Sequence, residues 1–132
     1  MKIVRIGTVE HGLSIAELDR FGPGIYDFGT YDVDVRNGAF VGRANCYFSS
    51  RDFADLSGAL KQMHRELSGC HKFEPIESQL VFTMTINIHG HICVEGELFE
   101  SAGEWNPSVK FSFQIDQTYL PEIIASLNAF LN

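Results

Sequence analysis

Apolar and polar residues alternate one for one along several stretches of this chain, and in two places the period lengthens into that of a helix. Tyr31, Val33 and Val35 face one way while Asp32, Asp34 and Arg36 face the other, the two-residue repeat of a half-buried strand. Asn37-Gly38 follows, a pair that tolerates positive φ, and predicts a hairpin returning over 39–48. A long strand is expected over 79–89, with Leu80, Phe82, Met84, Ile86 and Ile88 inward. Gly90 turns the chain, and 91–99 returns with Ile92, Val94 and Leu98 inside and His91, Cys93, Glu95 and Glu97 outside. Val109, Phe111, Phe113 and Ile115 mark a further strand. Shorter strands are expected at 3–6 and 11–19, the second without strict alternation at Leu13, Ile15 and Leu18. Phe21 to Gly24 is a breaker cluster, Cys70 to Ser78 reads as a loop around Pro75, and Glu100 to Pro107 as a polar loop.

From Leu120 the apolar positions fall at Leu120, Ile123, Ile124, Leu127 and Phe130, one face of a helix. Asp116 and Thr118 can accept hydrogen bonds from the free N–H groups of its first turn, where Pro121 is also tolerated. An earlier helix should begin at Ser49 as N-cap, with Asp52 as the acid of a capping box. Its buried stripe is Phe53, Leu56, Leu60, Met63 and Leu67, and Gly69 should end it. Gly58 inside that helix costs up to about 1 kcal/mol against alanine, and we expect it to mark close contact with the sheet. Moving back 67 positions puts Leu120, Ile123, Leu127 and Phe130 on Phe53, Leu56, Leu60 and Met63. The same shift carries the strand before one helix onto the strand before the other. This is either an internal duplication of a strand-strand-helix unit or a coincidence of two amphipathic pairs. The expected fold is α+β, a mainly antiparallel sheet of about six or seven strands with two helices packed on one face. The other face is left to water or to a partner.

The chain's 132 residues, 45% hydrophobic and 20% charged, suit a single domain over 1–132 that buries a core without staples. No apolar run is long enough to span a membrane, and Met1 to Gly7 lacks the apolar centre of a secretory signal. Cys46, Cys70 and Cys93 have no paired spacing and leave an odd thiol, so no disulfide framework and a cytoplasmic setting are expected. A net charge of −7 argues against nucleic acid as a direct ligand. It fits a basic protein partner, although taken alone simple solvation is the more ordinary explanation.

Candidate chemistry is thin. His89, His91 and Cys93, with Cys70, His71 and His64 elsewhere, contain no recognisable zinc spacing and no four-ligand set. Cys93 with a nearby histidine would need an activating environment that the sequence does not provide. The carboxylate pairs Asp32/Asp34 and Glu95/Glu97 each share a strand face, but both pairs look water-facing. No phosphate loop or dinucleotide fingerprint occurs. Trp105, the only tryptophan, lies in a loop between Glu100, Glu104 and Pro107, either as part of the core or as an exposed binding anchor. No catalytic residue, cofactor or metal site is therefore expected. A homodimer pairing through an open sheet edge and a small metal-dependent hydrolase using His91 and Cys93 are the competing readings.

Two segments resemble a known family. Gly90-His91-Ile92-Cys93-Val94-Glu95-Gly96-Glu97-Leu98 and the ending Phe113-Gln114-Ile115-Asp116-Gln117-Thr118-Tyr119-Leu120 are similar to the WapI group of bacterial immunity proteins. Asp32 to Val35 before Asn37-Gly38-Ala39-Phe40, and Leu60 to Gly69 leading to Glu77, fit as well, so the likeness covers roughly residues 28–132. Tyr31 stands where tryptophan is expected, and residues 1–27 lie outside the likeness. The resemblance implies a small cytoplasmic protein that binds and blocks the toxic C-terminal domain of a contact-delivered toxin, tRNA-cleaving in the founding case. It implies no membrane association and brings no catalytic residues. The partner surface expected on this basis is acidic: Glu95, Glu97, Glu100 and Glu104, with Asp32, Asp34 and Trp105.

Overall fold

The computed structural model describes residues 2–21, 27–101 and 106–131. Strands β1 (Ile3–Gly7), β2 (His11–Phe21), β3 (Phe28–Asn37) and β4 (Phe40–Ser49) form one antiparallel meander in chain order. Helix α1 (Ser50–Glu66) follows β4 without a break. Strands β5 (Gly69–Phe73), β6 (Leu80–Ile86), β7 (His91–Phe99) and β8 (Ser108–Asp116) form a second such meander, followed by a 3-10 turn over Gln117–Tyr119 and α2 (Leu120–Phe130). The fold is α+β, but among the described residues eight strands lie in two sheets of four, where a single sheet of about six or seven was expected. The strand missed was β5, an edge strand of five residues in which only Phe73 is buried, so its sequence carries no alternation to read. The predicted repeat of strand and helix is present: four strands then a helix, twice.

The helix starts were legible because capping chemistry is local. Ser49 accepts from the Asp52 N–H at 3.3 Å while the Asp52 carboxylate accepts from the Ser49 N–H at 2.9 Å, a complete capping box. At the equivalent position 67 residues on, Asp116 accepts from the Thr118 N–H at 3.0 Å. The end of α1 was misplaced. Leu67 takes the left-handed cap at φ 54 and donates its N–H to the Met63 carbonyl, which leaves Leu67 exposed instead of in the stripe. Gly69, at φ 120, opens β5. Gly58 does not touch the sheet, since a Cβ built there would meet nothing within 4 Å. The hairpin is where it was expected, but its two loop residues are Gly38 and Ala39; Asn37 already pairs with Phe40. Ile88, expected inside, lies past the end of β6 and is 92% exposed. Leu18 is exposed because the β2–β3 register shifts between Glu17 and Asp19, a bulge that breaks the alternation along β2.

Both inner sheet faces and both helices contribute to a single core. Its centre is aromatic: Phe53 of α1 lies 5.0 Å from Tyr31, 5.5 Å from Phe48 and 4.9 Å from Phe130 between ring centroids. Ser57 of α1, almost fully buried, donates to the Asn128 side-chain oxygen of α2 at 2.9 Å and ties the helices together. Gly42 of β4 lets the sheets meet, as a Cβ there would lie 2.9 Å from a Val109 methyl.

Burial, with the charge of Glu17 adding to it, pushes the Tyr31 phenol up from 10.0 to about 12. The folded state keeps a proton that the unfolded chain releases near pH 10, so this contribution is complete below pH 10 and is lost as pH rises toward 12. Tyr31→Phe is therefore expected to change stability little at pH 7 but to spare about 1 kcal/mol at pH 11, read from urea midpoints. Equal alkaline losses in the two proteins would contradict this.

Candidate partner-binding surface

The outer face of the first sheet is built in rows by the strand register. Arg5, Ser14, Asp34 and Arg43 form one row across all four strands, and Ala16, Asp32 and Asn45 the next. Beyond the bulge come Asp19, Thr30 and Tyr47, then Phe21, Phe28 and Ser49. Asp32 and Asp34 thus face out as expected, but they are not free charges. Arg43 bridges them at 3.0 Å and 3.4 Å, and Arg36 meets Asp34 at 3.3 Å. Exposed pairs of this kind contribute roughly 0–1 kcal/mol to stability, and they cancel most of the local field.

Glu95 and Glu97 also point outward, but from the second sheet, where Glu95 lies in a row with Lys72, Thr83 and Ser112, and Glu97 opposite Lys110. Glu97 accepts from the Ser108 hydroxyl at 2.6 Å. Glu100 is exposed just past β7. Glu104 and Trp105 lie outside the described residues. The expected acidic set is therefore divided between the outer faces of two sheets.

Sequence reasoning missed the aromatic end of the first sheet. Phe21, Phe28 and Tyr47 are 45%, 47% and 51% exposed, and the Phe21 and Phe28 rings stand 5.6 Å apart. A signal was available, because Phe28 and Tyr47, like Val41, are apolar residues in the outward phase of their strands. Beside them opens a cleft of about 350 Å³, walled by Phe28, Tyr47 and Ile76 and edged by Asp27, Asp52 and Glu77. Asp27 is only 8% exposed. One of its oxygens, Oδ2, accepts from Arg20 at 2.6 Å and from the Ser50 hydroxyl at 3.0 Å. Burial pulls the Arg20 guanidinium down, but the Asp27 hydrogen bond and charge, with Glu17, outweigh that and leave it raised. Among the described residues the other oxygen, Oδ1, is buried without a partner, a state that costs about 1–3 kcal/mol.

The histidines and thiols do not assemble. Among the described residues, no three His, Cys, Asp or Glu side chains are placed to hold a metal ion. All three cysteines are free. Burial pushes the Cys46 thiol up to about 12, and burial with the Glu95 hydrogen bond raises Cys93, both away from the reactive thiolate. Among the described residues no helix is long and apolar enough to cross a membrane.

Exposed aromatic rings of this kind are enriched where proteins bind one another. The comparisons agree with that class. The profile of the Immunity protein WapI-like family matches residues 26–132, and the chain belongs to that family. No curated protein matches the sequence. A solved structure described as crystal structures of Trypanosoma bruciei MRP1/MRP2 is similar over 98% of this chain and 81% of that one, at 11% identity and a TM-score of 0.49. A likeness that slight supports no inference about this chain.

The segments that carry the family resemblance turn out to touch each other. Gly90 sits at φ 81, and a Cβ on it would come within 2.9 Å of the Gln117 side-chain amide. The Gln117 N–H also donates to the Gly90 carbonyl at 3.0 Å. These residues hold the β6–β7 turn against the start of α2. That contact between Gly90 and Gln117 is a structural one.

Proposed function

We propose that this chain neutralises a cognate toxin domain by binding it in the cytoplasm, with no chemistry of its own. Membership of the immunity family over residues 26–132 is the observation that supports this. With a net charge of −7, the chain suits a basic toxin domain, a nuclease whose positive groove holds RNA. In this reading Glu95, Glu97, Glu100 and Glu104 supply long-range attraction, while Asp32 and Asp34, already paired with Arg43 and Arg36, add little to it. Phe28 and Tyr47, with Trp105, supply the apolar anchors. Nucleic acid is displaced and never contacted directly.

Reversing Glu95 and Glu97 to lysine is expected to leave folding intact and to slow toxin capture about tenfold at low salt, with a flatter salt dependence. Stopped-flow association at several ionic strengths reads both quantities. Unchanged rates would remove the second sheet from the interface. The absence of binding to any toxin domain found in a neighbouring reading frame would sink the reading itself.

A further inference from the structure

We infer that the cleft beside Phe28 and Tyr47 receives an arginine side chain of the protein partner, an assignment that rests on the binding role proposed above. Three carboxylates edge the cleft, and among the described residues no lysine or arginine lines it. Their remaining capacity differs. Asp52 spends one oxygen on the α1 cap, and Glu77 makes no ion pair among the described residues. Asp27 commits Oδ2 to Arg20 and Ser50 and, among the described residues, leaves Oδ1 buried without a partner.

The acids are not gathered tightly enough to ligate a bare metal ion. They suit a cation that is wide, planar and rich in donors. A guanidinium carries five N–H donors in a fixed fork and stacks on aromatic faces, while its methylene stem covers apolar surface. Phe28 and Tyr47 offer those rings, and the exposed Ile76 at the edge offers apolar surface for the stem. A lysine ammonium would satisfy the charge but would not use the rings as fully.

The test uses the whole ¹⁵N-labelled chain and small probes, so it does not depend on any toxin. Nα-acetyl-arginine amide is expected to shift the amides of Phe28, Tyr47 and Glu77 saturably. Its neutral isostere, Nα-acetyl-citrulline amide, should bind about tenfold more weakly, as should the lysine probe. Glu77→Gln and Tyr47→Ala, both at exposed positions, should each weaken the arginine probe about threefold without unfolding the chain. Shifts elsewhere on the surface, equal binding of citrulline or lysine, or indifference to both substitutions would overturn the assignment. A chain that binds its toxin but ignores the probe loses the slot alone. A chain that holds the probe but binds no toxin keeps the slot and loses the immunity reading.

Discussion

Phe53→Ala is expected to lower the folding free energy by about 3–5 kcal/mol, the usual cost of removing a buried phenylalanine. Phe53 is fully buried, and its ring meets those of Tyr31 from β3, Phe48 from β4, Phe73 from β5 and Phe130 from α2. Truncation would therefore open a cavity walled by both sheets and both helices. No single neighbour can collapse into it without leaving its own packing, so relaxation should recover little of the loss. A domain of this size has only about 5–15 kcal/mol to lose. Urea unfolding followed by tyrosine or tryptophan fluorescence measures the change, and Phe53→Leu should cost less than half as much. A loss under about 1 kcal/mol would mean that the aromatic centre is not where the stability resides.

Gly96→Ala should come next, at about 2–3 kcal/mol. Gly96 has an ordinary strand conformation, so backbone freedom is not the reason for glycine. Space is. A Cβ at this position would lie 2.3 Å from the Val81 carbonyl oxygen, 2.5 Å from the Phe82 Cβ and 2.7 Å from the Phe111 ring. Two of those obstacles belong to the neighbouring strand β6, which cannot retreat without breaking its ladder to β7. The substitution should shift the β6 and β7 amide resonances together and lower the unfolding midpoint. A neutral result would require the two strands to separate freely, against the unbroken pairing from Leu80–Leu98 to Ile86–Ile92.

Much of the fold was legible because its signals are local. Tyr31, Val33 and Val35 are buried, as are Leu80, Phe82, Met84 and Ile86, in the phase that alternation assigned them. The matched stripes Phe53, Leu56, Leu60, Met63 and Leu120, Ile123, Leu127, Phe130 are all in the core. What escaped was whatever depends on distant partners. Whether strands join one sheet or two is decided by packing between units, as at Gly42 and Val109, and periodicity carries no trace of it. β5 is hidden for a related reason: an edge strand with one buried side chain owes its existence to β6, not to its own sequence. The candidate surface was half legible. Alternation put the acids outside, but only the coordinates show Arg43 and Arg36 silencing Asp32 and Asp34. The register also brings Phe21 beside Phe28 across a bulge.

Each meander closes only on its nearest neighbours in the chain, so every ladder can zip from a short loop at small entropic cost. The distant step is the marriage of the two halves, which share one interior. On the ribosome the leading half emerges first, its oily underside covered only in part by α1 until the trailing half is synthesised. For that interval the nascent protein is an unfinished sandwich, and its exposure to chaperones and to sticking is set by how fast the second slice arrives.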